Sequence, residues 1–172
     1  LDLPEFGVTN VHFSLLPELR GASPVQTAIL EKKKTSGLTF QRMVYALDAG
    51  DIQLKKEYNI EGKGTIELFN FFAQETATLL PEFLSDLFDN KIEAVSQDAE
   101  QATFCGKFEK SDGEINFTKD TASDIYHKYL AFDLWPGIFM LHPEYDRVKI
   151  LELSKTETTD STPVECADGE IL

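Results

Sequence analysis

The sequence predicts an α/β chain whose last part turns β-rich, and three patterns predict it. Leu38, Phe40, Arg42 and Val44 alternate with Thr39, Gln41, Met43 and Tyr45, the period-two pattern of a strand. Between Phe69 and Phe88 apolar residues recur instead at three- and four-residue steps, which makes a wide helical stripe. Near the C-terminus "GIFML" and "RVKILEL" flank "HPEYD" as the two arms of a hairpin.

Taken in order, "VTNVHFS" reads as a buried strand and "LLPELRGA" as a loop. Ser23 is a good helix N-cap, with Pro24 at the first helical position and Gln26 three residues after the cap, the pattern of a capping box. That helix runs through Val25, Ala28 and Ile29 into the lysines and is expected to end at "TSG". The alternating strand follows, then a tight turn at "DAGD" and a second strand, "IQLKKEYNI", its expected antiparallel partner. Thr65 is expected to cap the long helix, whose stripe takes in Phe69, Phe72, Leu80, Phe83, Leu84, Leu87 and Phe88. Pro81 should kink or divide it. From Ile92 to Asp120 the text is polar with short apolar beats and a "SDG" turn, as in a linker. A last helix is capped near Thr121, with Ile125, Tyr129, Leu130 and Phe132 inward, and "DLWPG" stops it. In the final strand the apolar phase shifts at Leu151, which predicts a bulge or a change of face. The tail from Ser154 reads as a loop and the opening of one more strand.

Composition bounds the function. With 172 residues, 42% hydrophobic and 27% charged, the chain holds a full globular domain and is not a disordered segment. A net charge of −14 argues against a general polyanion-binding surface, which needs clustered Lys and Arg. The one cluster, "EKKK", is best read as a solvated helix end. Cys105 and Cys166 stand far apart without CxxC spacing, which argues against a disulfide framework or a thiolate zinc site and fits a reducing compartment. No apolar run reaches the length of a membrane span and no leader opens the chain, so the expected location is the cytoplasm. The abrupt start and the unfinished β module predict a piece of something longer.

One constellation can carry chemistry. Asn10 and His12 are two residues apart on a strand, so they project from one face. Asp48 ends a different strand, in a turn with Gly50. A carboxylate meeting that histidine would hold the ring's tautomer and favour its charged form. An amide and a charged imidazole together can hydrogen-bond the oxyanion that develops when a carbonyl is attacked. That suits acyl or formyl transfer to an amine. Against it stands the structural reading, since an Asn-x-His on a strand and an Asp in a turn are usually no more than that.

The wording around these residues decides between the two. "NVHFSLLPELRGASPVQTAIL", then "SGLTFQRM", "LDAGDI" and, much later, "WPG" resemble the methionyl-tRNA formyltransferase family, with the blocks in order and 36 positions from His12 to Asp48. The resemblance implies the C-terminal half of a Rossmann-like formyltransferase domain, followed by a linker and the start of an OB-like β-barrel. The expected bounds are 1–92, 93–114 and 115–172. It implies a catalytic trio of Asn10, His12 and Asp48: Asn10 on the formyl oxygen, His12 on the tetrahedral oxyanion and in proton transfer, and Asp48 tuning His12 and ordering a relay water. It implies that Ser14, Leu15, Leu16 and Pro17 touch the reduced folate. Arg20 and Gly21 open a loop beside the active-site entrance, and Asp51 braces its turn. The donor implied is 10-formyltetrahydrofolate, and the acceptor is the α-amine of initiator methionyl-tRNA, with no metal, in a monomer.

Phe13, Ser36 and Leu38 depart mildly from the family pattern. The acidic balance and few lysines near the C-terminus depart further, because the family's barrel offers tRNA a basic surface. A sugar-amine formyltransferase using the same donor is the alternative, while glycinamide ribonucleotide formyltransferase lacks the "RGAxPxQ" block and fits less well. From a different class, a non-catalytic α/β binding module would have lost turnover, yet all three polar residues are present. His127, His142 and the charges around Lys107, Glu109 and Asp112 are assigned no chemistry, and Trp135 is read as packing. The 172-residue chain alone is expected to be inactive or marginally stable, because half of a parallel sheet is missing from it. Thermal denaturation checks this: a cooperative melt at high temperature would contradict it.

Overall fold

The computed structural model describes residues 4–154 and 162–170; part of the tail expected to hold a loop and the opening of one more strand lies outside them. Along the chain come strand β1 (Thr9–His12), β2 (Arg20–Gly21), helix α1 (Pro24–Leu30), β3 (Thr35–Arg42), β4 (Ile52–Asn59) and α2 (Thr65–Phe88). Then follow β5 (Phe104–Cys105), α3 (Ala122–Ala131), β6 (Ile138–His142) and β7 (Asp146–Ile150). β3 is the central strand of an antiparallel sheet ordered β1-β3-β4. β2 pairs in parallel with β5, and β6 with β7 in an antiparallel hairpin.

The sheet has one apolar and one polar face, as its alternation requires. Leu38 and Phe40 turn to the side covered by α2, where Phe40 meets Phe83 with ring centroids 4.7 Å apart. Phe13, just past β1, packs on Phe69 and Phe72 at 5.8 and 5.4 Å. These aromatic contacts are of the tilted kind that ring quadrupoles favour. The buried cluster runs on through Leu68 and Phe72 to Ile125 of α3, Phe132 and Ile138 of β6. Lys32 at the end of α1 reaches Asp124 of α3 at 2.8 Å, and this hydrogen bond leads the causes that hold the Asp124 carboxyl below its usual range.

Several local expectations change. "TSG" does not stop α1; it opens β3, and the helix has already ended before Lys32 enters a left-handed conformation at φ 55°. Gly37 is needed inside the strand because a Cβ there would lie 1.9 Å from the Lys56 carbonyl oxygen. Ser23 precedes α1 as expected, but its hydroxyl makes no capping bond, and the Gln26 side-chain oxygen is buried without a partner. Gly64 rather than Thr65 is the N-cap of α2. Thr65 donates instead to the Ala131 carbonyl, and the Asp133 carboxylate accepts from the Ile66 amide at 3.1 Å, so the cap comes from far along the chain. Pro81 does not divide α2, which is continuous over 24 residues. The hairpin is as expected, but β7 ends at Ile150 and Leu151 is exposed, so the phase shift marks the strand's end and not a bulge. Trp135 is about half exposed, outside the packed interior.

Phe72 is completely buried where α2 meets the sheet. Phe72→Ala should therefore lower the unfolding free energy by about 3–5 kcal/mol, read from denaturant titration as a shifted midpoint.

Candidate active site

The polar face of the β1-β3 pair carries the site. Asn10 lies opposite Gln41 and His12 opposite Thr39 in the strand register, and directly opposed residues share a face. His12, Thr39 and Gln41 are all buried, while Asn10 is partly exposed. A buried polar row survives only if its members are bonded, and here they are.

His12 is gripped from two sides. Its Nε2 lies 2.9 Å from the Leu19 carbonyl oxygen. A carbonyl only accepts, so Nε2 must carry a proton. Leu19 itself sits in the left-handed region at φ 57°, an uncommon conformation for a bulky residue. Its amide donates to the Thr103 hydroxyl at 2.8 Å. On the other side Nδ1 stands 3.8 Å from Asp48 Oδ2, within ion-pair distance but beyond a direct hydrogen bond. The carboxylate expected to set the tautomer therefore does not set it; the Leu19 carbonyl does.

Asp48 is positioned by its own turn. It too is left-handed, at φ 47°, a conformation Asp tolerates better than most residues. Its Oδ2 accepts from the Gly21 amide at 2.9 Å and its Oδ1 from Gln41 Nε2 at 2.8 Å. Gly21 can make that approach because it lacks a Cβ: one built at its φ of 123° would meet the Cys105 carbonyl oxygen at 2.1 Å. The Asp51 carboxylate accepts from the Ser96 hydroxyl at 2.9 Å and so ties the end of the same turn.

The segment Ser14–Pro17 is built inward more than outward. Ser14 and Leu16 are fully buried, and Leu15 and Pro17 are partly exposed. The Ser14 hydroxyl donates to the Glu18 carbonyl at 2.6 Å. Thr39 pins the loop with one hydroxyl, donating to the Ser14 carbonyl at 2.7 Å and accepting from the Leu16 amide at 3.1 Å. Any ligand contact from Ser14 or Leu16 would come from the main chain.

Two amides escaped sequence reasoning, Gln41 and Gln97. Gln97 receives the Arg20 guanidinium on its oxygen, at 3.0 Å from Nε and 2.7 Å from Nη2. Its nitrogen donates to the Asp48 and Gly50 carbonyls at 2.9 and 2.7 Å. Gln41 could have been flagged by its place opposite Asn10; Gln97 sits in a polar stretch with no pattern to mark it. Cys105 lies beside the site as a buried thiol, with Sγ 3.4 Å from the Leu19 carbonyl oxygen. Burial foremost, and the nearby Asp48 charge after it, push its pKa up, which keeps it protonated and poorly nucleophilic near neutral pH. His127 and His142 lie elsewhere, with local bonds to Ser123 and Glu144. Among the described residues no cluster of His, Cys, Asp or Glu could hold a metal ion, and no helix is long and apolar enough to cross a membrane.

An imidazole with one proton fixed, a carboxylate close to its other nitrogen and a carboxamide on the same strand face form an arrangement for steadying a carbonyl oxygen during attack by an amine. Residues 1–84 match the formyl transferase family and residues 107–172 the formyl transferase C-terminal domain. The chain belongs to the formyl transferase family. The methionyl-tRNA formyltransferase of Sulfurihydrogenibium sp. is 36% identical over the whole chain and 54% of its own length. That of Campylobacter jejuni subsp. doylei is 41% identical over 95% of the chain and 50% of its own length. The chain thus spans about half the length of the curated relatives it matches. The N-formyltransferase of Helicobacter canadensis, in complex with folinic acid and dTDP-3-aminofucose, superposes with a TM-score of 0.76 at 20% identity, covering 95% of this chain and 64% of that one. The shared fold is a Rossmann-like α/β formyltransferase region with a C-terminal domain.

Replacing Asp48 by Ala would leave the Gly21 and Gln41 donors without their acceptor. Orphaned buried donors cost about 1–3 kcal/mol each, so Asp48→Ala should lose stability as well as any activity, seen as a lowered denaturation midpoint.

Proposed function

We propose that this chain is the formyl-handling part of a methionyl-tRNA formyltransferase. It transfers the formyl group of 10-formyltetrahydrofolate to the α-amine of methionyl-tRNA, giving formylmethionyl-tRNA for translation initiation. The observation that carries the reading is the meeting of His12 and Asp48 beside Asn10 on one sheet face, in a chain 36–41% identical to relatives of that name.

In this reading the Asn10 carboxamide donates to the formyl oxygen. The amine, which must be neutral and titrates at about 8 when free, attacks the formyl carbon. A carbon–nitrogen bond forms and the carbonyl electron pair moves onto oxygen. Asn10 and the protonated Nδ1 edge of His12 hold that oxyanion, because Nε2 is already committed to Leu19. Collapse breaks the bond to the folate nitrogen. His12 gives its Nδ1 proton to that nitrogen as the bond breaks, and the proton lost by the amine then returns to Nδ1 through a water ordered by Asp48. The chemistry asks nothing of a metal.

The rest of the reading follows the same line. The loop Ser14–Pro17 contacts the reduced folate, through the partly exposed Leu15 and Pro17 and through main-chain groups. Arg20 and Gly21 open the loop beside the active-site entrance. Residues 1–92 form the catalytic part, 93–114 the connection and 115–172 the opening of the C-terminal domain, in a cytoplasmic monomer. Sugar-amine transfer is the competing activity, since an N-formyltransferase solved with dTDP-3-aminofucose shares the fold at 20% identity.

A formyl-transfer assay on the complete gene product separates these. Met-tRNA should be formylated, and amino-sugar nucleotide and glycinamide ribonucleotide should not; activity on a sugar amine alone would overturn the reading. Asn10→Ala should lower kcat by about 100- to 1,000-fold while leaving the melting temperature near that of the parent, because Asn10 is partly exposed.

A further inference from the structure

Residues 95–105 run across both loops that border His12. The Val95 and Ile52 main chains exchange two hydrogen bonds at 2.9 and 2.8 Å. Thr103 takes the Leu19 amide on its hydroxyl and the Arg20 amide on its carbonyl. β5 then lies in register with Arg20 and Gly21. Gln97 is the one side chain on this segment that bonds to both loops at once, to Arg20 of the first and to Asp48 and Gly50 of the second.

The residue type is dictated by what surrounds it. A guanidinium only donates, so the atom facing Arg20 must accept; main-chain carbonyls only accept, so the atom facing the turn must donate. A carboxamide meets both demands in a single orientation. A carboxylate in its place would keep Arg20 and lose both turn bonds. The two carbonyls belong to Asp48 and Gly50, so Gln97 clamps the turn on either side of Ala49. A non-glycine residue at positive φ persists only where its surroundings over-determine it, and at Asp48 Gln97 supplies part of that constraint. The ring closes through Gly21, next to Arg20, whose amide holds the Asp48 carboxylate at 2.9 Å.

From this geometry we infer that Gln97 is a positioning residue for the active site: it fixes the separation of the Arg20–Gly21 and Asp48–Gly50 loops, and with it the stance of the Asp48 carboxylate toward His12. The inference rests on the formyl-transfer reading for its effect on turnover, but its geometric content can be tested without turnover.

Three variants of the complete gene product make the test, Gln97→Ala, Gln97→Glu and, as a control, Gln101→Ala, whose side chain bonds, among the described residues, only to Asp98. Two measurements are made on each: steady-state formyl transfer, and the chemical shift and hydrogen exchange of the Gly21 amide by NMR. Displacing a positioned group by about 1 Å costs as much as 100-fold, so Gln97→Ala and Gln97→Glu should each lower kcat by about 10- to 100-fold with the donor KM little changed. In both, the Gly21 amide should move upfield and exchange faster, and the control should match the parent. Gln97→Glu retains the volume and the Arg20 partner, so it should fold even if Gln97→Ala does not. A Gln97→Glu protein with parental kcat would mean that Gln97 serves Arg20 alone and would overturn the inference. So would an unchanged Gly21 amide in both variants, whatever the acceptor proves to be.

Discussion

The carboxylate of Asp48 is the point on which the local structure converges. Its two oxygens take one donor each, from the Gly21 amide and from Gln41, and its main-chain carbonyl takes a third from Gln97. Those donors come from three separate stretches of chain, so the turn, the first loop, the central strand and the connecting segment are located relative to one carboxylate. The residue accepts a left-handed backbone to do this, a conformation that costs energy unless its surroundings impose it. Gly21 and Gly50 make the approach possible, since a Cβ on either would run into a carbonyl oxygen, at 2.1 and 1.6 Å respectively.

A polar cluster of this kind needs a scaffold that is stable without it. The other face of the sheet supplies one, with Leu38 and Phe40 under α2 and a continuous apolar cluster reaching from Leu19 to Ile138. Burial of apolar area stabilises at about 25 cal/mol per Å², whereas the net gain from a satisfied hydrogen bond is small and the cost of a broken one is large. The division of β1 and β3 into two faces therefore separates tasks: one face provides cohesion, and the other can hold buried polar groups because each has its partner. Thr39 illustrates the second task, since one hydroxyl both donates and accepts to fix the loop after β1.

Much of this was legible in the sequence where a period carries the signal. The alternation through Leu38 and Phe40, the stripe through Phe72 and Phe83 and the hairpin around "HPEYD" each repeat often enough to name their element. Asn10, His12 and Asp48 were singled out by the family wording around them, and the structure sets the last two 3.8 Å apart. The rest was hidden because it depends on partners distant in sequence. Nothing near Thr65 announces that Asp133 will cap α2. Nothing in "EAVSQDAEQATF" marks Gln97 as the residue that ties two loops together. The Ser23 and Gln26 pair had the right letters for a capping box and does not form one, since a local motif describes what two side chains can do and tertiary packing selects what they do.

The least expected element is a main-chain carbonyl. Sequence patterns name side chains, so a histidine near an aspartate invites the assumption that the aspartate sets the ring. Here the Leu19 carbonyl claims Nε2, and the consequence is directional. Because Nε2–H is held in either charge state, any gain or loss of a proton by His12 takes place at Nδ1, the nitrogen that faces Asp48. The carboxylate is itself held by two donors, the Gly21 amide and Gln41, which keep it 3.8 Å from that nitrogen. The ring is thus oriented by a backbone contact, while its second nitrogen is left beside a negative charge but outside direct hydrogen-bonding distance. A proton delivered to or taken from that nitrogen need not first be freed from a short bond to the protein.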